Sequence, residues 1–211
     1  MRFKQGCLHF IILFLICIQF LSLTETDAFE VCRTENGSVI KWSTPSTTYH
    51  VNPLGSLQGS LSAILSGMDT WTNVSNSNFV FSFGGEISSC NPGVNDGENI
   101  VCFGSMGTSG ILGTNTYWFK SNGEMIDSDI EINTDVTWST SGSPGTFDLQ
   151  SVATHEFGHS LCLSHPNIVA AVMYYSIGMG QLKRSLDQDD INGIISISIQ
   201  GQMRTRLWGW W

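Results

Sequence analysis

The stretch HEFGHSLCLSH, residues 155–165, places three histidines within eleven positions. Because an α-helix turns about once every 3.6 residues, His155 and His159 would lie one above the other on a single helix face. His165 would follow beyond the end of that helix, so the chain must turn back to bring its ring near the other two. Three neutral imidazoles leave the fourth position of a tetrahedral metal open, which is typical of a catalytic zinc site and not of a structural one.

Glu156 follows the first of these histidines, where its carboxylate can hold a reacting water without binding the metal itself. We therefore predict that the three histidines bind one catalytic Zn²⁺ and that Glu156 is the catalytic general base. The alternative is two surface histidines on an amphipathic helix and a third that is there by coincidence. Outside this stretch and the first 28 residues the chain contains only His50, which makes coincidence the weaker interpretation.

Residues 1–28 have the pattern of a secretory signal peptide. Arg2 and Lys4 precede an apolar run from Phe10 to Leu23, and residues 26–28 offer a small-residue cleavage site. The run is short for a membrane span, so cleavage is favoured over the alternative of an uncleaved anchor. We expect a secreted, extracellular protein with no stable membrane span in its mature chain.

The rest of the chain is predicted to form one domain, residues 29–199, because no internal repeat or linker divides it. Residues 200–211 differ in composition and form a tryptophan-rich tail that ends in LWGWW. This tail would either rest against the domain or contact a partner through its aromatic side chains.

The formal net charge is −9 at pH 7. An acidic chain of this kind argues against nucleic acid or an anionic membrane surface as a partner. It is compatible with a Ca²⁺ site, for which Asp127, Asp129 and Asp135 offer hard oxygen ligands near a loop. We expect the protein to be a monomer.

Four of the six cysteines lie outside the first 28 residues: Cys32, Cys90, Cys102 and Cys162. Export to an oxidising compartment favours disulfides, and four cysteines allow three pairings. Cys90 and Cys102 flank a turn-rich segment and are the predicted pair. The alternative is four free buried thiols.

Apolar spacing predicts an α+β chain in the order strand, helix, several strands, active-site helix, loop and helix. Isoleucines alternate with acidic residues over 126–132, which indicates a half-buried strand. Asp148 is placed to cap the active-site helix. Strands are predicted near 47–51, 79–83, 99–103, 114–119 and 126–132, and helices near 57–71, 148–159 and 186–197.

From the histidine motif at residue 155 onward, the sequence resembles a metzincin, and specifically a matrixin, the matrix metalloproteinase family. HEFGHSLCLSH matches the long metzincin signature in all but one position. The segment 171–174, AVMY, resembles the Met-turn, so Met173 would pack beneath the zinc without binding it. Residues 186–194 resemble the C-terminal helix, and 129–138 and 147–154 resemble the segments that precede the active-site helix. The likeness covers about residues 41–198.

The resemblance implies a matrixin-like catalytic domain with a twisted mixed β-sheet, an active-site helix, a Met-turn and a C-terminal helix. It also implies a zinc-dependent endopeptidase of the extracellular matrix, acting on a protein or peptide substrate. The edge strand near 111–116 would bind extended substrate, and residues 174–183 would wall a pocket beside the scissile bond. The alternatives are a catalytically weak or inactive secreted zinc-binding module, and an interaction protein that uses the tail.

Several positions depart from the family pattern. Cys162 replaces the glycine that lets the chain leave the helix in a left-handed conformation, where a side chain costs roughly 1–2 kcal/mol. Pro166 stands where matrixins usually carry serine. Glu131 stands where a histidine would bind a second, structural zinc, so only one zinc is expected. About a dozen residues separate the signal peptide from the likeness, so no propeptide is expected, and we favour a disulfide for Cys32 over an inhibitory role at the zinc.

Overall fold

The structure is a computed structural model that describes residues 29–107 and 110–199. The predicted signal peptide and the tryptophan-rich tail lie outside these residues. Within the described ranges, no helix is both long and apolar enough to cross a lipid bilayer.

The described residues form eight strands and three helices, and the order along the chain is the α+β order predicted from the sequence. The bounds are β1 Lys41–Trp42, β2 Ser46–Val51, α1 Ser60–Thr72, β3 Val80–Glu86, β4 Ile100–Gly104, β5 Gly113–Phe119, β6 Glu124–Asn133, β7 Trp138–Ser139, β8 Phe147–Asp148, α2 Leu149–Ser160 and α3 Gln188–Ile199.

Six of these strands form one mixed sheet, as expected. The strands β1, β6, β4, β2 and β3 are adjacent in that order and parallel, while β5 pairs antiparallel with β6. In the described part of the chain β5 pairs with β6 alone, so one side of it forms a sheet edge. The short strands β7 and β8 pair separately, directly before α2.

Helices α1 and α2 pack against each other and against the sheet to form the core. Gly67 of α1 allows the close approach, because a Cβ there would lie 2.9 Å from the backbone nitrogen of Thr154. The indole of Trp71 donates a hydrogen bond to the Thr154 carbonyl at 2.7 Å. On the sheet side, the buried Tyr49 hydroxyl donates to Ser160 Oγ at 2.7 Å. These contacts fix the position of α2 from two sides.

Helix α1 begins three residues later than the apolar spacing predicted. Gly59 has a left-handed conformation, with φ of 82°, and the helix starts only after it, at Ser60. Leu57 belongs to the preceding turn, where its backbone N–H donates to the Leu54 carbonyl at 3.0 Å, and its side chain still packs against the core. Apolar contact therefore extends beyond the helix itself.

The prediction that β6 is half-buried was wrong. Asp127 and Asp129 are 0% and 2% exposed, because residues 93–100 lie over their face of the strand. The Asp127 carboxylate accepts the backbone N–H groups of Asp96 and Gly97, both at 2.8 Å. Asp129 accepts those of Gly93 and Ile100, among others. Asp127 and Asp129 thus bind backbone amides instead of facing solvent.

The predicted Cys90–Cys102 disulfide is present. It joins the segment before residues 93–100, the covering loop over Asp127 and Asp129, to strand β4. Cys32 and Cys162 are free thiols, so the disulfide favoured for Cys32 is not formed in this structure.

Candidate metal centre and active site

The start of α2 is fixed by a buried carboxylate, as predicted. Asp148 Oδ1 accepts the backbone N–H of Ser151 at 2.9 Å, which caps the helix. Arg184 forms an ion pair with the same carboxylate from the other side. Burial opposes ionisation of Asp148, but the hydrogen bonds from Arg184 and Ser151 outweigh it and lower the pKa of this carboxyl. The helix that carries the first two histidines is therefore anchored at its N-terminus.

The end of α2 is a tight reversal that carries His165 back to the helix. The Gly158 carbonyl accepts the backbone N–H groups of Leu161 and Leu163, at 3.0 and 3.1 Å. Cys162 lies between them with φ of 59°, the left-handed conformation expected at this position. The side chain of Cys162 has therefore not prevented the turn.

The three predicted ligands converge on one point. The Nε2 atoms of His155 and His159 lie 3.1 Å apart, and the Nε2 atom of His165 lies 3.1 and 3.0 Å from them. Three nitrogens at the corners of such a triangle can all reach one ion at about 2.0–2.1 Å, the usual zinc–nitrogen distance.

The other ring nitrogens show which tautomer the helix histidines adopt. His155 Nδ1 donates to the Val172 carbonyl and His159 Nδ1 to the Leu163 carbonyl, both at 2.8 Å. Burial lowers the pKa of His155 to about 3, with a further contribution from His159, and burial lowers the pKa of His159 to about 4. The rings are therefore neutral at pH 7, and their Nε2 lone pairs point at each other. Lone pairs arranged in this way fit a bound cation.

Glu156 lies beside the three Nε2 atoms, in a position closed to solvent. Its side chain is almost fully buried, and Oε2 has no hydrogen-bond partner. Burial raises the pKa of this carboxyl to about 8. The facing strand makes room for it at Gly113, where a Cβ would lie 2.7 Å from Oε1. A buried carboxyl with a free oxygen next to three converging imidazoles is suited to accept and return a proton.

A cleft of about 500 Å³ opens over these groups. One wall is the loop and edge strand of residues 110–117, and the opposite wall is residues 174–177 with Lys183. Both segments were predicted to border the substrate.

Met173 is 1% exposed, and its side chain packs against Gly158, the residue before His159. Its backbone N–H and that of Val172 donate to the two carboxylate oxygens of Asp190, at 3.1 and 2.8 Å. Since Asp190 lies in the first turn of α3, that helix holds the turn in place.

The three candidate calcium ligands do not come together. Asp127 and Asp129 bind the covering loop, whereas Asp135 accepts hydrogen bonds from Ser105 at 2.7 Å and from Gly107 at 2.6 Å. Among the described residues, the three histidines are the one group of His, Cys, Asp and Glu side chains arranged to hold a metal ion.

Comparison with known families agrees with this geometry. The model of the matrixin family matches residues 41–198, which is most of the chain. The chain belongs to the matrixin family. This matrixin is 30% identical to Metalloendoproteinase 2-MMP of Arabidopsis thaliana over 160 residues, which cover 70% of this chain and 39% of that protein. It thus spans about two fifths of that relative's length.

Two shorter matches have a higher identity. Matrix metalloproteinase-27 of Homo sapiens is 42% identical over 76 residues, or 36% of this chain and 14% of that protein. Metalloendoproteinase 1 of Glycine max is 46% identical over 74 residues, or 32% of this chain and 24% of that protein.

The roles of two residues in this matrixin's site were not predicted from the sequence, although Lys183 ends the segment that was predicted to wall the pocket. Asp190 could be recognised only as an acidic residue in the first turn of a helix, where it also suits the helix dipole. Lys183 lies 4.7 Å from the centre of the Tyr174 ring and donates to the carbonyls of Val169 and Ala171 at 2.7 and 3.1 Å. Neither role has a local sequence pattern, because both depend on contacts across the Met-turn.

Proposed function

We propose that this matrixin is a secreted zinc-dependent endopeptidase that hydrolyses peptide bonds in proteins or peptides. The observation that supports it best is the convergence of three imidazole nitrogens beside a buried carboxyl with one free oxygen. His155, His159 and His165 are the proposed ligands of one Zn²⁺, and Glu156 is the proposed general base.

When bound, zinc supplies a Lewis acid that polarises the substrate carbonyl and makes water more acidic. The protein supplies the remaining parts of the reaction. Glu156 takes a proton from the attacking water and passes it to the leaving amine, so no covalent intermediate with the chain is needed. The carbonyls of Val172 and Leu163 hold the rings of His155 and His159 in the tautomer that presents Nε2.

The substrate is proposed to lie along the open side of β5 as an additional strand. This strand borders the cleft, and its pairing with β6 leaves its other edge available for backbone hydrogen bonds. The opposite wall, with Tyr174 and Ile177, would receive a side chain of the substrate. An extended peptide placed between the two walls passes directly over Glu156 and the histidines.

The second candidate is a catalytically weak or inactive zinc-binding module. The observation that suggests it is Cys162 in place of the family glycine. Two features favour the enzyme over this alternative. The turn containing Cys162 still brings His165 to the other ligands, and Glu156, which a binding module does not need, keeps its position.

Cleavage of a diverse peptide library by the purified protein, with and without chelator, tests the proposal. We expect cleavage that the chelator abolishes and added zinc restores. The matched control is Glu156→Gln, which keeps the shape of the side chain and should retain zinc while activity falls by about 10²–10⁴-fold. Full activity of Glu156→Gln in a clean preparation would assign the base to another residue. A wild-type protein that binds zinc but cleaves nothing would favour the binding module.

The division of the chain is part of the same proposal: a signal peptide over 1–28, the catalytic domain over 29–199 and the tail over 200–211. Mass spectrometry of protein secreted from a eukaryotic host should find an N-terminus near residue 29, and light scattering should report a monomer. Calcium is a weaker expectation, since the predicted acidic ligands already accept backbone N–H groups. An unchanged melting temperature on adding calcium after chelation would remove it.

A further inference from the structure

The N-terminal segment of the domain pairs with the turn that follows α2. Val31 and Leu163 form an antiparallel bridge, and on either side of it Cys32 N–H donates to the Cys162 carbonyl and Ser164 N–H to the Glu30 carbonyl, both at 2.8 Å. In this register the next pair of opposing residues is Cys32 and Cys162. The two cysteines that are not in the observed disulfide therefore face each other, although 130 positions separate them in the sequence.

Both side chains occupy one small apolar cluster. Cys162 is fully buried against Ile40 and Met125, and the half-buried Cys32 packs on the same cluster. The Cys32 thiol lies 3.0 Å from the Cys162 carbonyl oxygen. One backbone hydrogen bond, from Cys32 N–H to the Cys162 carbonyl, joins the two residues. Opposed residues of antiparallel segments have Cα atoms about 4.5–5.5 Å apart. That separation lies within the range of roughly 4.4–6.8 Å that a disulfide spans.

We propose that Cys32 and Cys162 form a second disulfide, which fastens the N-terminal segment to the turn that carries His165. The oxidant is a small disulfide such as glutathione disulfide. The Cys32 thiolate attacks one sulfur of that disulfide, and one small thiol leaves. The Cys162 thiol then loses its proton and attacks Cys32 Sγ, and the second small thiol leaves. Two protein thiols are oxidised by two electrons, and one small disulfide is reduced to two thiols.

Cys32 is the residue that reacts first. It is the more exposed of the pair, and a hydrogen bond from the Cys162 side chain lowers the pKa of its thiol to about 7 despite the opposing effect of burial. The hydrogen bond with Cys32, together with burial, raises the pKa of Cys162, and the buried Cys162 is therefore the second thiol to react. This division between an attacking and a resolving thiol is the usual one in disulfide exchange.

The bond would act directly on the metal centre. Cys162 is followed by Leu163, whose carbonyl accepts a hydrogen bond from His159 Nδ1 at 2.8 Å. The proposed ligand His165 lies two residues after Leu163. Fastening Cys162 to the N-terminal segment restricts opening of this turn. The oxidised protein is therefore expected to release zinc more slowly than the reduced one.

Peptide mapping of the secreted protein tests the bond without using its activity. The mature protein is treated with glutathione disulfide, free thiols are blocked, and the unreduced digest is analysed by mass spectrometry. We expect one linked peptide pair containing Cys32 and Cys162, beside the Cys90–Cys102 pair as the internal control. In Cys32→Ser the first pair should vanish and the second remain. Blocked, unlinked Cys32 and Cys162 after oxidation, or glutathione retained on Cys32, would overturn the proposal.

The rate of zinc release to a chromogenic chelator tests whether the disulfide restricts the turn that carries His165. Oxidation should slow release several-fold in the wild type and leave it unchanged in Cys32→Ser. Cys32→Ala serves as a second variant, so that the result does not depend on how serine is accommodated. A linked wild type that releases zinc equally fast in both redox states would overturn the effect on the metal centre. Slower zinc release on oxidation in either Cys32 variant, neither of which can form the bond, would do the same.

Discussion

The sulfur of Met173 packs so closely against Gly158 that a Cβ at this position would clash with it. The same Cβ would lie 2.8 Å from Cζ2 of the buried Trp71. Gly158 directly precedes the ligand His159, so the Met-turn and α1 press on the backbone of α2 at the level of the metal centre. Glycine at this position allows the two helices and the turn to approach closely enough to fix the histidine rings.

Replacing Gly158 by alanine should therefore destabilise the protein, although alanine is the better helix former. Overpacking of this kind costs roughly 1–3 kcal/mol, and the displaced turn should also weaken zinc binding. Denaturant unfolding and zinc titration measure the two effects. Gly55→Ala is the control, because a Cβ there meets nothing within 4 Å. A Gly158→Ala protein as stable as the wild type would show that Met173 moves aside freely.

The histidine geometry predicts one zinc per chain and none in His159→Ala. Loss of a ligand should remove metal and peptidase activity together, since the two remaining rings hold zinc weakly. Elemental analysis of the purified proteins measures the metal content. His50→Ala is the matched control and should keep one zinc, because His50 is remote in sequence and pairs with Glu98 at 3.7 Å. Two tightly bound zinc ions in the wild type would contradict the single site.

The raised pKa of Glu156, about 8, predicts how the stability of the zinc-free protein depends on pH. Between the ordinary carboxyl pKa near 4.5 and about 8, the folded protein holds a proton that the unfolded chain has released. The stability contributed by this group is therefore present at low pH and is lost as the pH rises through this window. Glu156→Gln has no such group, so comparison of the two proteins isolates it.

In the presence of chelator, the unfolding free energy of the wild type relative to Glu156→Gln should fall by on the order of 3 kcal/mol from pH 5 to pH 8. Denaturant unfolding of both proteins at several pH values measures this difference. Added zinc should reduce the effect, because a cation beside the carboxylate favours its ionised form. A difference independent of pH would mean that Glu156 ionises normally in the folded protein.

The left-handed backbone at Cys162, with φ of 59°, predicts an unusual order of stability among its variants. Both Cys162→Gly and Cys162→Ala lose the buried thiol, but only glycine relieves the steric cost of this conformation. Under reducing conditions the glycine variant should be more stable than the alanine variant by about 1 kcal/mol. At Ser66, inside α1, the usual order should hold and alanine should be the more stable. If alanine were the more stable variant at both positions, the left-handed conformation of Cys162 would not carry the steric cost assigned to it.

The sequence by itself determined the elements that depend on local spacing. The i, i+4 relation places His155 and His159 on one helix face whatever surrounds them, and Asp148 caps the helix through a contact only three residues long. The pairing of Cys90 with Cys102 followed from their position around one short loop. In each case the interacting groups are close in sequence, so the pattern of residues already contains the geometry.

Only the tertiary structure decided which surfaces cover one another. The alternating pattern of β6 could not show that residues 93–100 bury Asp127 and Asp129, nor could the acidic start of α3 show that Asp190 holds the Met-turn. The opposition of Cys32 and Cys162 likewise follows from the pairing of two distant segments. The physical reason is that these contacts join groups far apart in sequence, and their positions depend on how the whole core packs.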